Sequence, residues 1–145
     1  MKKLLLIIFG LLVTIQARAV TLARVKNDTV NTLYKVMVPL DNYEVLLPPG
    51  TEADFGSWLD LRRYKEVQCA VLKGDGEPIF VHIGPESAGC ASEESFAQSI
   101  VYWQGLPNPS EEDKIYKTCC MPDEKMHLEL HIHADGHPEI TENGA

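Results

Sequence analysis

Four of the chain's five histidines fall within eleven residues, HLELHIHADGH, at positions 127–137. Imidazole is the commonest side-chain ligand for transition metals. In a strand, alternation puts His127, Glu129, His131 and His133 on one side and Leu128, Leu130 and Ile132 on the other. Ala134-Asp135-Gly136 then reads as a three-residue hairpin loop whose last position needs the left-handed backbone that glycine allows. Closing that hairpin sets His133 opposite His137, His131 opposite Glu139 and Leu130 opposite Ile140. Opposed Cβ atoms in such a pair lie about 4.5–5.5 Å apart. His131, His133 and His137, with Glu129 and Glu139 nearby, are then within reach of one Zn²⁺ or Cu²⁺. The plainer reading is the wet face of a half-buried strand, which needs polar side chains and no ion. No HExxH and no paired CxxC accompanies the cluster.

The elements that must position these residues are strands. Helical periodicity is nearly absent, and short apolar or alternating runs recur between turn residues. Strands are predicted at 20–26, 30–38, 43–47, 64–73, 78–83, 99–104, 114–119 and 126–133, with a further short one through 51–56. This spacing points to an all-β fold of about 7–9 short strands, either an antiparallel β-sandwich, immunoglobulin-like in general architecture, or a partly open barrel. One helical turn is expected at 92–95, capped by Ser92. In VQCAVLKGDGEPIFVHI, a loop at Gly74-Asp75-Gly76 would set Val71 opposite Ile79, Cys69 opposite Val81 and Val67 opposite Ile83. One face of that hairpin is then wholly apolar and Cys69 points into the core.

The four cysteines are Cys69, Cys90, Cys119 and Cys120. An even count in an exported chain predicts two disulfides. Neighbours Cys119 and Cys120 would need a strained ring, so each is expected to bond Cys69 or Cys90. Cys90 sits in the longest stretch without a clear strand, which a disulfide would staple. Asn27-Asp28-Thr29 fits a glycosylation sequon. NPSEED, at 108–113, reads as a solvated acidic turn.

The first nineteen residues, MKKLLLIIFGLLVTIQARA, combine a di-lysine start, an apolar run and small residues before a cleavage site. They read as a signal peptide cut between Ala19 and Val20, leaving one β-rich domain at 20–145. The apolar run is short for a membrane span, which needs about 20 residues. The expected location is therefore periplasmic or extracellular, with no membrane association after cleavage. The formal net charge of the whole chain is −8, and loss of Lys2, Lys3 and Arg18 makes the remainder more acidic. With no basic stripe, nucleic-acid binding is not expected. No nucleophile elbow, phosphate loop or triad order appears, and nothing assigns a catalytic role. The leading expectation is an exported, disulfide-stabilised β-sandwich that binds a protein or glycan through its loops and needs no cofactor. The alternative is an exported Zn or Cu protein using His131, His133 and His137.

Overall fold

A computed structural model describes residues 20–84, 98–119 and 126–143. The leader at 1–19 with its cleavage site, the turn at 92–95, Cys90 and Cys120 lie outside the described residues. The described residues form ten strands: β1 (Val20–Asn27), β2 (Leu33–Val38), β3 (Tyr43–Leu47), β4 (Thr51–Asp54), β5 (Glu66–Lys73), β6 (Ile79–Ile83), β7 (Gln98–Gln104), β8 (Ile115–Cys119), β9 (Met126–Ile132) and β10 (Pro138–Asn143). A single turn of helix, α1 (Leu61–Tyr64), follows Asp60, whose side chain accepts from the Arg62 backbone N–H at 3.0 Å as an N-cap. No helix of the described residues is long and apolar enough to cross a membrane.

The strands form two packed sheets, one of four strands in the order β10-β9-β1-β4 and one of six in the order β3-β2-β5-β6-β7-β8. The chain is thus an all-β, sandwich-like fold. Pairing is antiparallel throughout except between β1 and β9, which run parallel. Period-two burial of Leu128, Leu130 and Ile132 from one sheet meets Val36, Val67, Cys69, Ile79 and Val81 from the other in one core. Strand β1 needs a correction to keep its apolar residues inside. A register shift between Leu22 and Arg24 inserts one extra residue, so Leu22 and Val25 both face the core. At the β3–β4 side, edge-on contacts link Tyr43, Phe55, Trp58 and Tyr64, with ring centroids 5.1–6.2 Å apart along the chain.

Three expectations need revision. The β5–β6 hairpin pairs Val67 with Val81 and Cys69 with Ile79, two residues away from the expected register. An even slip keeps every side chain on its expected face, so the apolar face survives. The slip has a local cause. Tyr34 Oη donates to the Glu77 carbonyl at 3.3 Å, and Pro78 has no N–H to give the ladder, so the loop is longer than three residues. Strand β2 begins at Leu33 and not at 30, because Asn27 organises the preceding turn. Its Nδ2 donates to the carbonyls of Thr32 (2.9 Å) and Leu47 (3.0 Å), and its Oδ1 accepts from the N–H and hydroxyl of Thr29. Asn27 is fully buried, so the sequon's amide is committed to the fold.

The third revision concerns the thiols. Cys69 is buried and unbonded. Register places it beside Ile79, which pairs with Gln104, whereas Cys119 pairs with Gln98 three strands from β5. Three strand spacings and six residues of rise put the two backbones roughly 20 Å apart or more. A disulfide needs Cα atoms within about 7 Å. A Cys69–Cys119 bond, one of the pairings left open, is therefore incompatible with the fold, and Cys69 takes part in no disulfide.

Candidate functional site

The β9–β10 hairpin is built as its sequence dictates. Its register sets Ile132 opposite Pro138, His131 opposite Glu139 and Leu130 opposite Ile140. His133 and His137 close the loop, with the His133 N–H donating to the His137 carbonyl at 3.0 Å. Gly136 adopts φ 94°, the left-handed region the loop requires, and its N–H donates to the His133 carbonyl at 2.8 Å. Asp135 Oδ1 accepts the His137 backbone N–H at 3.2 Å.

The three rings line up. Centroids of His131 and His133 lie 4.1 Å apart, and those of His133 and His137 lie 4.2 Å apart at an interplanar angle of 17°. Their partners divide them. His133 Nε2 meets Glu139 Oε2 at 3.0 Å. His137 Nδ1 hydrogen-bonds the Asp135 carboxylate, and the two bonds from His137, backbone first, hold that carboxyl below its usual pKa. His131 Nε2 hydrogen-bonds Asp28, at the end of β1, and the bond lowers the Asp28 pKa. Ligand atoms of His133, His137 and Glu139 all lie within 4.8 Å of one another. The convergent set thus substitutes Glu139 for the expected His131.

The remaining members of the polar face are also engaged. Glu129 meets Arg24 at 3.5 Å, and Arg24 also reaches Glu52 and Asp54. His127 Nδ1 lies 2.9 Å from Thr21 Oγ1. The histidine run is therefore the solvated face of β9, as the plainer reading has it, with one end where two imidazoles and a carboxylate converge. Asp28 could not be recognised in advance, because it reaches His131 through the pairing of β1 with β9. Asp135 could have been, since an aspartate two residues before a turn histidine commonly bonds back to it.

A second feature lies on the outer face of the six-stranded sheet. Phe80, Val101 and Trp103 form their own buried cluster there, with Phe80 and Trp103 stacked at 5.2 Å. The segment 105–114 folds over it. Trp103 Nε1 donates to the Leu106 carbonyl at 2.8 Å, and Lys114 Nζ sits 5.7 Å from the Trp103 ring centre. Glu111 holds Lys114 at 2.8 Å and accepts from the Tyr116 hydroxyl; the two bonds, Lys114 first, lower its pKa. Between this segment and the sheet is a cavity of about 370 Å³ lined by Lys65, Glu66, His82, Trp103, Lys114 and residues 107–109. The start of NPSEED is thus a cavity wall, and only its acids are the solvated turn expected. No family model, curated protein or solved structure matches the chain significantly.

Proposed function

We propose that the protein is an exported β-sandwich binding module whose β9–β10 hairpin takes one Zn²⁺ or Cu²⁺ between His133, His137 and Glu139. The observation that carries this reading is the convergence of two imidazoles and one carboxylate within 4.8 Å on a hairpin of defined register. Ligands of a tetrahedral zinc stand about 3.3 Å apart at Zn–N distances near 2 Å, so a small inward movement of exposed side chains suffices. Two further features support it. Donation of His137 Nδ1–H to Asp135 leaves Nε2 with its lone pair outward, the carboxylate–imidazole arrangement that orients metal-bound histidines. A His₂Glu set leaves a fourth position for water or a ligand. The export half of the reading rests on the leader-like residues 1–19 and on nothing in the fold.

Calorimetric titration of the folded protein with Zn²⁺ and Cu²⁺ tests the site. About one equivalent is expected, as one such set holds one ion. His133→Ala and Glu139→Gln should each weaken binding by about tenfold or more, and His131→Gln by about threefold at most, because His131 serves Asp28. No uptake at micromolar metal, or undiminished uptake by His133→Ala, defeats the proposal. Loss on His131→Gln with Glu139→Gln unaffected restores the three-histidine set in its place.

A further inference from the structure

The cavity beneath segment 105–114 combines four observations that the fold does not explain. The first is charge. The chain is acidic overall, at −8, yet this cavity gathers Lys65 and Lys114, and Lys65 lies two residues after Arg63 of α1. The second is backbone strain. Lys65 caps α1 with φ 68° and ψ −51°. Glycine is the usual residue at a helix end with positive φ, and an L residue there costs about 1–3 kcal/mol. Strain of this kind persists where a side chain is wanted. Lys65 makes no ion pair among the described residues.

The third observation is His82. Its Nε2 is buried with no hydrogen-bond partner among the described residues, and it shares the cavity wall with Trp103, whose ring it meets edge-on at 5.1 Å. Burial favours the neutral ring, ahead of the opposing pull of Glu66. An orphaned polar atom is destabilising unless something supplies its partner. The fourth is the wall. Trp103 has committed its N–H to Leu106 and its ring is buried between Phe80 and Lys114, so the hydrocarbon that faces the cavity is chiefly that of the two prolines in 107–109.

These features select a ligand. Among the lining side chains two ammonium groups stand against one carboxylate, Glu66, and Lys114 is already held by Glu111. Lys65 is the cation left to meet a ligand, which suits one negative charge. Glu66 repels a second charge and accepts a hydroxyl, and the Asn108 amide both donates and accepts. The two prolines suit a ring with C–H faces. About 370 Å³ is the lower end of small-ligand sites, room for one sugar ring. We propose that this cavity binds a carboxylate-bearing sugar, a hexuronate taken free or as the terminal unit of a glycan. The carboxylate meets Lys65, hydroxyls meet Glu66 and Asn108, and the ring packs on the prolines.

The test is calorimetry on the full folded protein with glucuronate, glucose, a disaccharide ending in glucuronate, glycine and inorganic phosphate. Glucuronate should bind in the submillimolar range, with glucose about tenfold weaker, the loss of one charged hydrogen bond. Preference for the disaccharide places the site on glycan ends, and preference for glucuronate places it on the free sugar acid. Lys65→Gly should lose about tenfold in affinity while keeping or raising the melting temperature, because glycine relieves the positive φ. Lys65→Gln, which keeps a side chain at that backbone and removes the charge, should behave alike in binding. Absence of glucuronate binding at 10 mM (roughly 3 kcal/mol) overturns the inference. So does equal binding of glucose, tighter binding of glycine or phosphate, or full affinity in both Lys65 variants.

Discussion

At the scale of single residues, Cys69 shows how position decides chemistry. Its thiol lies in the core between Val36 on β2 and Ile79 on β6, 1 % exposed. Burial alone pushes its pKa up to about 12. A thiolate is the reactive form, so Cys69 acts here as a small apolar side chain. In the native protein it should not react with a thiol reagent at pH 8, and it should become reactive once denaturant unfolds the chain. Mass spectrometry of the labelled peptide reads this directly, and native labelling of Cys69 would contradict its placement. Cys69→Ser, which puts a hydroxyl among apolar neighbours, should cost about 1–3 kcal/mol in urea unfolding. Cys69→Ala should cost less per atom removed, since it leaves no polar group stranded.

At the scale of elements, the two glycine-containing hairpins differ in what they ask of their glycines. Gly136 has φ 94° and open space around a would-be Cβ. Gly74 has φ 108°, and a Cβ there would run into the Asn31 carbonyl and the Thr32 backbone. Gly136→Ala should therefore cost about 1 kcal/mol, from the left-handed backbone alone. Gly74→Ala adds a backbone clash and should cost about 3 kcal/mol or more. Equal midpoints for the two variants in urea would show that the clash relaxes. The same contrast explains what could be read from the chain. The β9–β10 register was legible because its loop is self-contained and its two faces differ sharply in polarity. The β5–β6 loop was misjudged by two residues, because it leans on Tyr34 of β2 and on Asn31 in the turn before it, and sequence spacing carries no mark of that contact. The convergent group of His133, His137 and Glu139 was legible as a face but not as a set. His131 is drawn to Asp28 by the neighbouring strand, and Glu139 takes its place. The cavity was not legible at all, since α1, β6, β7 and the 105–114 segment meet there from distant parts of the chain.

At the scale of the whole molecule, β1 holds the four-stranded sheet together, with β4 on one side and β9 on the other. Its pairing with β9 joins Val20 to Met126 and Asn27 to Ile132. Thr21 Oγ1 donates to the Met126 carbonyl across 105 residues. Without β9 and β10, the core loses Leu128, Leu130, Ile132 and Ile140, and β1 is left as an open edge. A chain ending at residue 125 should be protease-sensitive throughout and should show no cooperative unfolding transition; a protected six-stranded fragment in limited proteolysis would show that the second sheet stands alone. The parallel pairing also acts as a clock. A ribosome adds about 5–20 residues per second, and β1 emerges well before β9, because 105 residues of chain separate Thr21 from Met126. The seam between them closes only once β9 has been made. Until then Val20, Leu22 and Val25 have no finished core to enter, and the nascent chain stays open.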